Sequence, residues 1–373
     1  MRILNAAAWM VATAIVVVLL VYGKSLLRPF VIAMVVWYVI VGLNNWIGSF
    51  PFMRKYCPGW LSATLSMLII VLFLVFVGEM IANNAQSMAN TLPTYEQNVR
   101  HLMENVQQSF GLEQVPNVSS LLEGFDFTNI ISSFINTFSG IAGNIFLILI
   151  YVLFLFLEQV SFPLKLQAIF TDQEDYGRVQ GILLRINKAI SSYISVKTAV
   201  SILTAVASYI VMAIIGLDFA AFWAFLIFLL NFIPSIGSLV ATAFPSLMAI
   251  LQFETLTPFF IILVGVGAIQ LIVGNVIEPR MMGSSLNISS LVMILSLSLW
   301  GTLWGVPGMV LCVPITVIMM IIFAQFESTK TIAILLSANG QVAQFGPEAM
   351  VPVEVESTDL ETGLDKNTAS EPA

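Results

Sequence analysis

Charge is scarce in this sequence: charged residues make up 9% of its 373 positions, where a soluble domain averages roughly 25%. Histidine occurs once, as His101, which leaves next to no room for a metal site or a triad built on imidazole. Cys57 and Cys312 are the only cysteines; two thiols make no disulfide framework, and both read as free. No glycine-rich phosphate loop with its lysine occurs, so the chain encodes no ATP-driven step. The net charge of −7 gives no footprint for nucleic acid. It is a property of the C-terminus, where Glu348, Glu354, Glu356, Asp359, Glu361, Asp365 and Glu371 crowd together. No cofactor, no metal and no enzymatic activity are expected.

What is abundant is apolar sequence. Hydrophobic residues form 58% of the chain, and about 20 of them are needed for each spanning helix. The fold class that follows is an all-α polytopic membrane protein. It has about six spanning helices and two broken or re-entrant helical hairpins, about seven or eight hydrophobic segments in all, with an external amphipathic helical region. The apolar start, Ile3 to Tyr22, is longer than the core of a secretion signal and reads as the first membrane helix.

The chain divides as follows. Residues 1–84 hold three membrane helices, near 4–23, 30–48 and 60–82, with a tight turn over Lys24 to Pro29. Residues 85–137 form the external region. There Met88, Leu92, Tyr95, Val99, Leu102, Val106 and Phe110 recur at steps of three and four, one apolar seam on a long helix, with a kink or a new start expected at Pro93. That seam either folds back on the membrane domain or meets the same seam of neighbouring subunits. A second amphipathic piece carries Leu121, Phe125, Ile130 and Phe134. Residues 138–160 hold the fourth span.

Residues 161–195 are a basic interfacial helix, with an apolar face of Tyr176, Val179, Leu183, Ile186, Ile190 and Tyr193 opposite Arg178, Arg185 and Lys188. Together with Lys165 and Lys197 these basic residues place the segment, and both chain termini, in the cytoplasm. Residues 196–330 hold spans five (196–216) and six (257–277) and the two broken hairpins. Residues 331–373 are an acidic cytoplasmic tail, expected to be disordered from about Ser337.

The hairpins carry the most informative residues. The first runs through N-F-I-P-S-I-G (231–237) to Pro245, flanked by apolar arms of about 18 and 21 Å, each short of the roughly 30 Å of hydrocarbon. The second is broken by G-T-L-W-G-V-P-G and contains Pro314. Broken backbone within a membrane is tolerated where it is buried in protein or lines a wet cavity. We therefore take Asn231, Pro234, Ser235, Gly237, Pro245, Gln270, Asn275, Glu278, Pro279, Arg280, Gly305, Gly308 and Pro314 as candidates for a substrate path or gate. Carboxylates fall at helix ends, so a lining of hydroxyl and amide groups fits a small neutral solute better than a cation. Glu278 and Arg280, flanking Pro279, either pair with each other or face a polar vestibule.

The segments N-F-I-P-S-I-G (231–237), N-V-I-E-P-R (275–280) and W-G-V-P-G-M-V-L-C-V-P-I (304–315) resemble those of the autoinducer-2 exporter family of bacterial membrane proteins. The resemblance covers residues 1–330 and is most specific in the C-terminal half. It implies a permease of the bacterial inner membrane, exporting the quorum-sensing signal autoinducer-2 in some members. It also implies a homo-pentamer, in which the external seam would have a partner. Its partners would be the lipid bilayer and a small-molecule substrate. Other members are described as sodium(lithium)/proton antiporters, a reading that would use Glu278 with Asp218 as helper. A third reading is a membrane scaffold assembled through the seam.

Overall fold

The computed structural model describes residue 11 and residues 14–48, 59–110, 144–282 and 287–342. The second amphipathic piece of the external region and the acidic residues beyond 342 lie outside them. Every named element is helical, and the described chain is that of an all-α polytopic membrane protein.

Helix α1 covers 14–22 and α2 Lys24–Gly48. The break between them is confined to Gly23, not spread over 24–29, and Pro29 sits within α2 at its sixth position. There its missing N–H leaves the Ser25 carbonyl without the donor four residues on, a loss of one bond of the ladder. Helix α3, Gly59–Phe110, is 52 residues long. It joins the third span and the seam into one continuous helix running past position 93. Helix α4 is Ile145–Ile169 and α5 is Gln173–Ile215, the latter 43 residues long.

The basic segment near 173–195 is thus no separate interfacial helix. Asp172 caps it by accepting from the Glu174 N–H at 3.0 Å, Glu174 and Asp175 complement its N-terminal dipole, and no proline intervenes before Gly216, which closes it with a φ of 77°.

The C-terminal half follows as α6 (Ala220–Leu230), α7 (Ile236–Gln252), α8 (Thr257–Met282, with a π-helical turn over Val273–Ile277), α9 (Ser290–Trp304), α10 (Val306–Phe323) and α11 (Lys330–Leu336). Helices α2, α4, α5, α8 and α10 are long and apolar enough to cross a membrane; α6, α7, α9 and the apolar stretch Thr64–Met80 of α3 are shorter.

Two apolar clusters hold these helices. A small one joins Ala33 and Ile40 of α2 to Ile148 and Val152 of α4, with Ile70 of α3 beside them. The large one gathers α5 to α10 around Met212, Ile227, Met248, Ile262, Val266, Val317 and Met320. Val31, Val35 and Tyr38 of α2 pack on it as well, so α2 joins the two clusters. Outward faces remain apolar, with Leu239, Val264 and Leu295 exposed, as suits surfaces that meet lipid.

The tail starts later than its composition indicates. Helix α11 covers Lys330–Leu336, Ser337 pairs with Ile288, the Ala338 N–H donates to the Asn287 carbonyl, and Val342 is buried.

Candidate functional site

The first hairpin begins and ends at the same place. Gly216, Asp218 and Gln252 are tied together there: the Gln252 side chain donates to the Gly216 carbonyl at 2.8 Å and accepts from the Asp218 N–H at 2.6 Å. From this base α6 rises only 11 residues, about 16 Å, before the chain turns through Asn231 to Ser235. The turn depends on two local features. Ser235 takes a positive φ of 60°, and Gly237 packs so closely under the Leu230 carbonyl that a Cβ would collide with its oxygen. The tip is held from α5: the buried Asn231 amide donates to Ser201 Oγ at 3.0 Å.

The second hairpin repeats the device. Gly305, at φ 70° and ψ −145°, occupies backbone space reserved for glycine, and Gly308 lies against the Trp300 carbonyl with no room for a Cβ. Its tip reaches the Gly23 break. Arg28 Nη2 donates to the Leu303 carbonyl at 3.1 Å, and Trp304 Nε1 to that of Leu20 at 3.3 Å. Between the arms, Ser296 and Thr316 bond to each other and to the Cys312 carbonyl.

The feature that charge counting misses lies on α5. Lys197, Ser201, Thr204 and Ser208, spaced at four, three and four, are all buried, a polar stripe on one helical face. Lys197 Nζ pairs with Glu278 Oε1 at 2.5 Å, and the two side chains are only 6% and 18% exposed. The π-helical turn makes this pair possible. Along α8 the buried positions run Ile262, Val266, Gln270 and Val273. A wider turn then carries Glu278 round toward α5.

Helices α5 and α8 run antiparallel, with Lys197 against Glu278 and Val211 against Gly265. That register puts the buried Gln270 level with residues 205 and 206, between Thr204 and Ser208. A polar lane about 17 Å long therefore runs along α5 from Lys197 to Ser208. Two of its groups, Ser208 Oγ and Gln270 Nε2, have no hydrogen-bond partner among the described residues, and neither has Tyr193 Oη one turn before Lys197.

The predicted site residues separate into groups. Asn231, Gly237, Pro245, Gln270, Gly308 and Pro314 are buried in the C-terminal bundle. Pro234 and Gly305 are half-buried at the two tips, and Ser235 is exposed. Asn275, Pro279 and Arg280 are exposed, with the Asn275 amide donating to its own helix at Leu271. Glu278 pairs with Lys197, not with Arg280. Asp218 lies beyond the far end of α5 from Lys197, about 27 Å or more along the helix axis, so Glu278 and Asp218 form no joint site.

Ser201, Thr204 and Ser208 are hydroxyl residues at helical spacing, a signal the sequence does carry, whereas Tyr193 stands on the apolar face of the basic segment. Lys197 was counted with the cytoplasmic basic residues because the span was expected to start beside it.

The seam faces inward. Met88, Tyr95, Val99 and Leu102 are buried, while the side chains of Leu92, Val106 and Phe110 lie outside the described set. Beside the seam, Tyr95 Oη donates to Asp218 Oδ2 at 3.0 Å and the Asn98 amide to the Gln252 carbonyl at 2.7 Å, so α3 docks on the base of the first hairpin. Burial first, and then this hydrogen bond to Asp218, push the Tyr95 phenol above its ordinary value.

Set beside known proteins, residues 5–328 match the model of a family described as "AI-2E family transporter". The chain is 31% identical over 321 residues to the "AI-2 transport protein TqsA" of Escherichia coli, covering 85% of this chain and 90% of that protein. A "Putative transport protein" of Haemophilus influenzae is 32% identical over 300 residues, 78% of this chain and 85% of its own. The "Putative transport protein YhhT" of Escherichia coli is 28% identical over 293 residues, 76% and 82%.

Proposed function

Because the chain belongs to the AI-2E family of transporters, we propose that it exports a small, polar, near-neutral solute across a bacterial inner membrane, autoinducer-2 or a molecule like it. The family is one of transporters, not of enzymes. What carries the cargo class is the lane on α5 and α8: its hydroxyl and amide groups can exchange hydrogen bonds with a hydroxylated solute, and its two charges cancel in the pair of Lys197 with Glu278. A neutral lane places no demand for charge on what moves through it. The relative named an AI-2 transport protein favours the same cargo.

The first hairpin supplies the gate. Its tip ends against Ser201, one helical turn from the Lys197 end of the lane, and rests there on one side-chain hydrogen bond from Asn231. Tip movement of an ångström or two at that point opens or closes the lane without disturbing the base. The exposed Lys188 and the other basic residues of the α4 to α5 region favour, by the positive-inside tendency, a cytoplasmic side for that end and for both termini. A homo-oligomer, pentameric by family resemblance, uses surfaces other than the buried seam residues.

The test is efflux from proteoliposomes loaded with autoinducer-2. Protein-dependent release that falls at least about tenfold when Gln270 and Ser208 are replaced by Leu and Ala supports the reading, a loss of about 1.4 kcal/mol in transition-state stabilisation. Folded protein with no release above empty liposomes refutes that cargo.

A further inference from the structure

Two cations, Lys24 and Arg28, stand at the start of α2 with no carboxylate to meet them. They are four residues apart and so stacked on one helical face. The sequence has no aspartate or glutamate before Glu79 and none from 281 to 326, so α1, α2, α9 and α10 bring no acidic group to this place. Neither cation forms an ion pair among the described residues. Their position is unusual as well. Phe30 meets Tyr151 edge to face with 5.6 Å between ring centroids, and Trp37 meets Phe156 further on, so α2 and α4 run parallel from the same level. Helix α4 leads, about 37 Å along its axis, into the basic start of α5. Lys24 and Arg28 therefore stand at the membrane face opposite the basic residues of α5, against the positive-inside tendency. The Leu303 carbonyl takes one of the five guanidinium N–H groups of Arg28. The rest of this half-buried fork has no partner among the described residues, and its Nε is buried. As a cation at the C-terminal end of α9, Arg28 has part of its charge accounted for. Lys24 has none: it is exposed, and it adds like-charge repulsion one turn away. The surface nearby is apolar, with Leu19, Leu26 and Val306 exposed beside Tyr22.

We propose that Lys24 and Arg28 hold the phosphate of an anionic phospholipid, whose acyl chains lie along the exposed Leu19, Leu26 and Val306. This goes beyond the transporter reading and does not depend on the cargo. The unpaired side of the Arg28 fork presents N–H groups to two oxygens of a phosphate, and Lys24 supplies the second positive charge. An anion seated between the two cations replaces their mutual repulsion with attraction to a common partner. Inorganic phosphate shares this chemistry, but the apolar surface beside the cations suits a headgroup that brings its chains with it. Tyr22 stands where interfacial aromatic residues meet headgroups. A choline or ethanolamine headgroup carries an ammonium of its own and brings a third cation to the site. Phosphatidylglycerol carries none and brings a net negative charge. Through Arg28 the bound phosphate is linked to the Leu303 carbonyl, and Trp304 Nε1 is bonded beside it to the Leu20 carbonyl. The lipid thus braces the tip of the second hairpin against the break between α1 and α2.

Thermal melting of the purified full chain in a neutral detergent, with no cargo present, tests the site while phosphatidylglycerol, phosphatidylcholine or inorganic phosphate is added over one concentration range. Phosphatidylglycerol is expected to raise the melting temperature saturably, as a ligand of the folded state does. Its half-saturation should lie at least about tenfold below that of phosphatidylcholine, and phosphate should give no comparable rise. Lys24→Gln is expected to move the phosphatidylglycerol half-saturation about tenfold upward, about 1.4 kcal/mol of binding. Lys24→Arg should keep it near the wild-type value, and Lys188→Gln, which removes the same charge from α5, should leave it unchanged. Arg28→Gln should weaken binding at least as much as Lys24→Gln. If that variant fails to fold, Lys24→Gln carries the test, since the exposed Lys24 side chain holds no other part of the described fold. Equal action of the two lipids overturns the proposal, as does unchanged binding in Lys24→Gln or an equal loss in Lys24→Gln and Lys188→Gln. A rise with inorganic phosphate that matches the one with phosphatidylglycerol makes this an aqueous anion site and overturns the lipid assignment. A failed autoinducer-2 efflux assay strikes the cargo and leaves these measurements standing.

Discussion

Single atoms decide the shape of both hairpins. At Gly237 and Gly308 a carbonyl oxygen of the preceding arm occupies the space where any other residue would carry its Cβ, so substitution forces the arms apart. Gly237→Ala and Gly308→Ala should each lower stability by about 3 kcal/mol or more, since the overlap is with backbone and cannot be relieved by a rotamer change. Thermal unfolding in detergent checks this, with Gly274→Ala, where a Cβ meets nothing within 4 Å, as the tolerated control. These glycines were legible in the sequence because turn chemistry at N-F-I-P-S-I-G and W-G-V-P-G announces itself. Lys197 was not, for a physical reason: a basic residue read along the chain looks like an anchor, and only the packing of α8 on α5 shows its ammonium facing a carboxylate. An amide such as Asn231 is costly to bury unpaired, and its bond to Ser201 explains how the cost is met. Asn231→Leu should loosen the tip by about 1–3 kcal/mol, the penalty of removing one member of a buried hydrogen bond, and raise the hydrogen exchange of residues 231–237 above that of α7.

Elements carry information that residue lists do not. Periodicity marks the seam, the apolar arms and the basic face as helical, yet it placed helix ends at 82 and 195 where α3 and α5 continue without interruption. Composition changes at those points but backbone preference does not, and a helix has no reason to stop where its surroundings change from lipid to water. The π-helical turn of α8 is another such feature, since no residue type demands it. Deleting Asn275 should convert it to an ordinary turn and rotate Glu278 by about 100° away from α5. Lys197 would then be buried without its partner, at a cost of about 3–5 kcal/mol, visible as a lowered melting temperature that Lys197→Met in the same background largely restores. The docking of α3 makes its own prediction. Tyr95 is a group whose ionisation is pushed upward in the folded state, by burial and then by its bond to Asp218. Its contribution is therefore full below the unfolded phenol value of about 10 and is lost only as pH rises through the higher folded value. Tyr95→Phe should cost about 1.5–3 kcal/mol evenly from pH 7 to about 10, with the difference from wild type vanishing at more alkaline pH.

Across the whole molecule, the chain closes on itself near its described end. Composition marks the residues from Ser337 onward as polar and acidic, and by composition alone they form no structure. The fold contradicts this for the first six of them. Ser337 bridges to Ile288, the Ala338 N–H donates to Asn287, the Asn287 amide returns a bond to the Gln341 carbonyl at 2.8 Å, and Val342 is buried to 4% exposure. These contacts stitch the chain to the segment between α8 and α9, the connection that leaves the Glu278 region and enters the second hairpin. No hydrophobic pattern reports them, because they are made mostly by backbone groups. Ending the chain after Val342 should leave stability and efflux as they are in the full chain. Ending it after Leu336 removes the backbone bonds, worth about 0.5–1.5 kcal/mol each, and exposes the pocket of Val342, worth about 1.5–3 kcal/mol. The shorter chain should therefore melt measurably lower, by an amount that approaches the sum of those terms. Its hydrogen exchange should rise first at 287–289, where the lost segment had been paired. If both truncations melt alike, the pairing at Ile288 contributes nothing and the segment after Leu336 is surface decoration, whereas a difference confined to the shorter chain makes it the seal on the second hairpin.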